Sequence, residues 1–259
     1  MSSTPIAEGT LVLAPPRPAV PFDGRNAFRI LKELNADPER TELVFELFDA
    51  AGGSGFERCF RRFAADPAGE RLLREQPSLV AAMADRDALA ALPDGSFGRA
   101  YLDFARARDF AADGLVEINH ETNEANGQND DPHRSYYGDR VTAMHDLWHV
   151  LTDYGTDEAG EAALLAFSHA QIPSRGFVLL ILLSAAMLPK RMLRCQLHLF
   201  RAWRRGRRAA RLDRARYEEL LPLQIDTVRR QLGIEAAAVA HPTGILRGSD
   251  GEELRWVAV

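Results

Sequence analysis

The sequence predicts an all-α protein, and three observations carry that prediction. Apolar residues recur at three-and-four spacing through nearly every segment after residue 22. No run of alternating β-branched residues competes with them. No internal repeat is present, so a solenoid is not expected. With 259 residues the chain is long enough to bury one sizeable core, and a single helical domain is expected over 23–259.

Residues 1–22 are rich in proline and are read as a flexible lead-in. They lack the basic start and long apolar run of a secretory signal, and the acidic Glu8 and few arginines do not suit a mitochondrial presequence. AFRILKEL (27–34), TELVFELFDAA (41–51) and FERCFRRFA (56–64) then each show helical periodicity. DPAGERLLRE (66–75) opens with aspartate at the cap and proline in the first turn. SLVAAMADRDALAAL (78–92) and FGRAYLDFARARDF (97–110) continue the pattern. Residues 118–135, INHETNEANGQNDDPHRS, break it and predict a loop, either functional or a tolerated insertion. Only the end, ILRGSDGEELRWVAV (245–259), predicts strands, as a short hairpin turning at Ser249–Gly251.

Composition narrows the function class. Apolar content of 46% and charged content of 27% are those of a soluble globular protein. A net charge of −5 argues against a nucleic-acid binder. Cys59 and Cys195 form neither a disulfide framework nor a zinc-thiolate spacing, so a reducing, cytoplasmic setting is expected.

The stretch most suggestive of chemistry is HDLWHVLTDYGTDEAGE, residues 145–161. On a helical wheel, Val141, Met144, Leu147, Trp148 and Leu151 share one side; Thr142, His145, Asp146, His149 and Asp153 share the other. Tyr154–Gly155 is expected to end the helix, with the glycine left-handed. Thr156 or Asp157 would cap a second helix carrying Glu161 one turn inside. If the two helices pack antiparallel, Glu161 reaches back toward His149. Imidazoles and carboxylates so gathered suit a divalent metal: zinc first, with iron(II), manganese and magnesium fitting the same donors. The competing reading is a solvated polar stripe. The metalloprotease HExxH pattern fails, because Asp146 stands where its glutamate would be. An HD-type phosphohydrolase, drawing on His120, His133 and Asp153 or Asp157, is a weak alternative.

HDLWH followed by eleven residues and Glu161 resembles the HDxxH-x11-E signature of the coenzyme Q (ubiquinone) biosynthesis protein 4 family. LPDGSFGRAYLDF (92–104), DPAGERLLREQPSL (66–79) and AWRRGRRAARLDRARYEELLPLQIDTVRRQLGI (202–234) are similar to further family segments, with Tyr217 where a tryptophan is usual. The chain is read as a bacterial member. The resemblance implies a helical protein acting on the polyprenylated ring of the ubiquinone pathway, at ring carbon 1, where hydroxyl replaces carboxyl. It implies His145, Asp146, His149 and Glu161 as metal ligands, with zinc bound. Arg140 occupies a position where the family tends to carry arginine and is expected to bind substrate. A homodimer and contacts with other ubiquinone-biosynthesis proteins are implied as well. Zinc cannot change redox state, and four protein ligands would close a tetrahedral ion. A lipid-binding scaffold that presents the ring to other enzymes is therefore the second reading.

A polyprenyl tail must be kept from water. FVLLILLSAAML (177–188) is too short to span a bilayer. It is expected to wall a groove through Phe177, Leu180 and Leu183, or to be an ordinary buried helix. Eleven basic residues between Lys190 and Arg216, opposed only by Asp213, predict a basic patch suited to anionic headgroups on the inner face of the cytoplasmic membrane.

Overall fold

The computed structural model describes residues 11–37, 40, 42–107, 131–187, 192–247 and 255–258. The architecture is helical, as the periodicity predicts. Residues 11–22 of the lead-in lie against the helical body. Val20 and Gly53 exchange backbone hydrogen bonds of 3.1 and 2.7 Å. Arg134 donates to the Pro15 carbonyl at 2.8 Å, and Arg61 to that of Ala14. Proline-rich backbone leaves carbonyls without a ladder partner, and guanidinium groups take them.

Helix α1 (Gly24–Ala36) is capped by Asp23, whose carboxylate accepts from Asn26 N at 3.0 Å, and it pairs with α2 (Glu42–Ala51). Helices α3 (Gly55–Ala64) and α4 (Pro67–Glu75) follow, the second with the Asp66 cap and Pro67 first turn that its sequence predicts. The run at 78–92 is not one helix. Asp85 ends α5 (Leu79–Ala84) and caps α6 (Arg86–Ala90) by accepting from Ala88 N at 3.0 Å. An aspartate inside a helical pattern offers the backbone this competing partner. Helix α7 (Phe97–Arg106) ends before 110.

Helix α8 (Pro132–Thr152) starts inside the segment predicted as loop. Asp131 accepts from His133 N at 2.9 Å and Pro132 fills the first turn, so the DDP triplet is a helix start. Residues 118–130 of that loop lie outside the described residues. Then come α9 (Glu158–Gln171), α10 (Arg175–Met187), α11 (Met192–Arg208), a 3-10 turn (Leu212–Arg214), and the short helices α12 (Tyr217–Leu220), α13 (Ile225–Gln231) and α14 (Ala237–Ala240). The hairpin is present: β1 (Ile245–Arg247) pairs antiparallel with β2 (Arg255–Val257), Leu246 opposite Trp256. Its predicted turn, Ser249–Gly251, lies outside the described residues.

The main core gathers Phe60, Phe63, Tyr101, Tyr137, Met144, Leu147, Trp148 and Phe167, all nearly inaccessible. Each such side chain contributes on the order of 1.5–3 kcal/mol by leaving water. Alanine-rich α9 lies at its centre, and α11 packs closely on it. A Cβ on Gly206 would stand 2.5 Å from the Phe167 carbonyl oxygen, so that contact requires glycine. A second cluster joins α1, α2 and α10 through Ala27, Ile30, Leu43, Leu47 and Leu180.

Candidate metal centre

The polar arc of α8 is not a solvated stripe. Asp146 is 8% and His149 2% exposed. Both histidines turn Nε2 toward one carboxylate from α9: His145 Nε2 lies 3.0 Å from Glu161 Oε1, and His149 Nε2 lies 3.1 Å from Glu161 Oε2. Among the described residues these three side chains form the group able to hold a metal ion, their ligand atoms all within 4.8 Å of one another. Asp146 adjoins the group rather than entering it, with Oδ1 3.4 Å from the far nitrogen, Nδ1, of His145.

The second ring has a fixed tautomer. His149 Nδ1 lies 3.1 Å from the Tyr154 carbonyl oxygen, which can only accept, so Nδ1 carries the hydrogen. Phe104 of α7 stacks on this ring at 5.5 Å between centroids. Nε2 is therefore the nitrogen left to face the carboxylate, and at 3.1 Å a proton or a cation must lie between them. At His145, burial opposes the charged ring, but Glu161 and Asp146 outweigh it and raise the pKa to about 10. At Glu161, burial works against the carboxylate, yet the two imidazoles hold it far below the usual range. The cluster thus carries charge of its own, and metal binding would displace the His145 proton.

The backbone that aligns these groups is set by a tight turn. Helix α8 ends at Thr152, and Asp153, not Gly155, takes the left-handed position, with φ 61°. Aspartate tolerates that conformation, and Arg229 holds its carboxylate at 2.6 Å. Arg229 also donates to the Val150 and Leu151 carbonyls, and buried Arg205 donates to that of Thr152 at 2.6 Å. Two guanidinium groups thus satisfy the last carbonyls of the histidine-bearing helix and oppose its dipole. Asp157 caps α9 by accepting from Ala159 N and Gly160 N, as its position predicts. A Cβ on Gly160 would meet the Gly155 carbonyl oxygen at 2.2 Å, so this glycine lets the turn fold over the first turn of α9. Phe104, Tyr154 and Gly160 were not foreseen. Only the glycine inside a helical pattern gave a signal in the sequence.

The remaining expected residues sit elsewhere. Arg140 is buried and engaged by the chain itself: it donates to both Glu218 oxygens at 2.6 and 3.0 Å and to the Ala215 carbonyl at 2.7 Å. Phe177 meets the Phe48 ring edge-on at 4.9 Å, and Leu180 and Leu183 pack on the cluster shared with α1 and α2. Among the described residues of α10, the exposed large apolar side chains are Val178 and Leu182. Among the described residues the basic run is not a continuous patch; Lys190, Arg191 and the Arg194 side chain lie outside them. Arg205 is buried, Arg211 pairs with Asp213, Arg214 with Asp66, Arg216 with Glu75 and Arg208 with Glu235. Counting charges along the sequence could not show that acids from other helices meet these arginines. Tyr217, the departure from the family pattern, is buried and accepts the Trp148 indole N–H at 2.8 Å.

The profile of the family described as coenzyme Q (ubiquinone) biosynthesis protein Coq4 matches residues 32–238. The chain belongs to this family. Members of the Coq4 family are ubiquinone biosynthesis proteins. The mitochondrial ubiquinone biosynthesis protein of Yarrowia lipolytica is 31% identical over 203 residues, 77% of this chain and 74% of the relative. Its Danio rerio homologue, also named mitochondrial, is 30% identical over 219 residues, 82% of this chain and 76% of the relative. The crystal structure of a Nostoc punctiforme protein shares the fold, with a TM-score of 0.60 at 22% identity, over 83% of this chain and all of that one. No helix among the described residues of this Coq4 protein is long and apolar enough to cross a membrane.

Proposed function

We propose that His145, His149 and Glu161 hold a divalent metal, with Asp146, whose carboxylate lies against the His145 ring, as the fourth donor. We propose further that the protein uses this centre in ubiquinone synthesis on a polyprenylated 4-hydroxybenzoate-type intermediate, replacing the carboxyl group at ring carbon 1 by hydroxyl. The observation that carries the metal is the His149 ring: its Nδ1–H is committed to a carbonyl while Nε2 faces a carboxylate at 3.1 Å. The donor set fits zinc best, and iron(II), manganese and magnesium next. Such an ion supplies a Lewis acid for a carboxylate or phenolate. The Tyr154 carbonyl keeps the His149 ring oriented, as outer partners of ligating histidines do. Phe104 covers one ring face. The carboxyl carbon leaves as carbon dioxide and one oxygen enters, a two-electron oxidation. Zinc cannot take those electrons, so dioxygen is the proposed oxidant, leaving as hydrogen peroxide while water supplies the hydroxyl oxygen.

The substrate's tail suggests a peripheral membrane location, on the inner face of a cytoplasmic membrane. The outward side of α11 supports this, because Leu197, Phe200 and Trp203 are exposed there beside Arg204 and Arg207. Apolar and cationic groups on one helix face suit an anionic lipid surface. A homodimer and complexes with other ubiquinone-biosynthesis proteins are proposed from the family alone.

The test uses metal-loaded protein, a short-tailed prenyl hydroxybenzoate labelled at the carboxyl carbon, and air. Release of labelled carbon dioxide with a new ring hydroxyl is expected, together with loss of both turnover and bound metal in Glu161→Ala. A second reading, a scaffold that binds and presents the prenylated ring, is favoured by the donor count, because four protein ligands close a zinc ion. Lipid binding without release of labelled carbon dioxide would select it. Full pathway activity in both His145→Ala and Glu161→Ala would remove every metal-centred version.

A further inference from the structure

A second histidine pair lies away from the metal centre. His198 of α11 and His241, which follows α14, are 2% and 1% exposed, and their rings stand 4.6 Å apart. Three of their four ring nitrogens, both of His198 and Nδ1 of His241, have no hydrogen-bond partner among the described residues. The fourth, His241 Nε2, shares a 2.7 Å hydrogen bond with the Tyr154 hydroxyl. Trp256 of β2 closes edge-on over His198 at 5.7 Å. The two rings therefore join three parts of the chain: the turn between α8 and α9, α11, and the C-terminal hairpin segment.

The surroundings do not welcome a proton. Among the described residues, Asp157, the cap of α9, is the acid that acts on His198, and Arg201 of α11 opposes it. Arg201 also donates to Thr243 Oγ1 at 2.9 Å, tying α11 to the same C-terminal segment. Arg205 lies over the Tyr154 ring at 5.3 Å and acts on His241 with Arg201. Cys195, one turn before His198, is buried with Leu246 and Trp256. A proton on either imidazole would sit in an apolar enclosure, beside a second ring and two guanidinium groups, with no acceptor for its new N–H.

We propose that His198 and His241 form an acid-sensitive clasp, which fastens residues 241–247 and 255–257 onto the Tyr154 turn while both rings are neutral and releases them when either ring is protonated. Burial lowers the pKa of His198 to about 4, with Asp157 opposing it and Arg201 adding to it, and lowers that of His241 to about 3, where the His198 ring and then Arg205 and Arg201 add to it. On release each ring returns toward about 6.5. The released form therefore binds more protons than the closed form between those values. Closure is complete above about pH 6.5 and weakens as pH falls below it. Each histidine shifts the equilibrium by about tenfold per pH unit in that window, until its closed-state pKa is reached. The clasp does not depend on a metal at 145–161.

Hydrogen exchange of the intact chain tests this, read at the amides of His241, Leu246, Trp256 and Val257 and corrected for the intrinsic pH dependence of exchange. Protection is expected to fall by tenfold or more between pH 7 and pH 5. His198→Phe/His241→Gln, which removes both titrating rings, is expected to flatten that dependence. Ring-carbon NMR of the unmutated protein gives a reading that needs no variant, and both imidazoles are expected to stay neutral at pH 5.5. Protection unchanged down to pH 5, an equal loss in the double variant, or rings that titrate near 6.5 with the segment still closed would each overturn the proposal.

Discussion

Arg140 shows how far residue identity falls short of residue role. Its position on α8, five before His145, suggested a substrate-binding cation. Its guanidinium is 2% exposed in residue terms and is taken up by Glu218 and the Ala215 carbonyl, so α8 is fastened to the α12 segment at that point. An uncompensated charge left behind in such a pair is costly. Arg140→Ala is expected to destabilise the fold by about 3 kcal/mol. The double variant Arg140→Ala/Glu218→Ala should cost less than the sum of the two single changes, because it leaves no lone carboxylate. Urea unfolding of the four proteins measures this. Equal, additive losses would show that the pair is not coupled. The histidines were legible for the opposite reason: the groups that orient them are local, so spacing along 145–161 is enough to bring Nε2 of both rings to Glu161.

At the scale of elements, the two-helix unit 132–171 was foreseen in outline and missed in its joints. The DDP triplet at 130–132 marks the start of α8 by cap and proline, but its polar neighbours read as loop. The left-handed position falls on Asp153 because Arg229 and Arg205 reach in from α13 and α11 to meet the helix end. No local pattern announces a partner some fifty residues or more away. Gly160 is the sharper constraint. With a Cβ at 2.2 Å from the Gly155 carbonyl oxygen, Gly160→Ala must push the turn off α9, one residue before Glu161. The expected cost is about 1–3 kcal/mol of stability. If the proposed centre holds zinc, its stoichiometry should fall with it, even where circular dichroism shows the helices intact. An alanine variant that binds metal as tightly as the unmutated chain would show that the turn does not set the position of Glu161.

For the whole molecule, the net charge of −5 and the arginine-rich stretch after residue 190 pointed in opposite directions, and folding reconciles them. Acids from α4, the 3-10 turn and the segment before α14 neutralise Arg214, Arg216, Arg211 and Arg208. What remains outward on α11 is a narrower feature. Phe200 and Trp203 stack at 5.9 Å, and the Arg207 guanidinium lies over the Trp203 ring at 5.9 Å. Aromatic rings there can enter the headgroup region, while each arginine near an anionic surface contributes about 1 kcal/mol. If this face meets lipid, the intact protein should float with vesicles containing phosphatidylglycerol and much less with neutral ones. Trp203→Glu should reduce flotation by about tenfold or more, because it both removes apolar area and reverses the attraction. Arg207→Gln should reduce it by about fivefold, a loss that disappears in high salt, where the electrostatic part is screened. Neither residue lies in a core cluster, so thermal unfolding should change little in either variant. Equal flotation of all three proteins would move the membrane contact to another face, with the exposed Val178 and Leu182 of α10 the next to substitute.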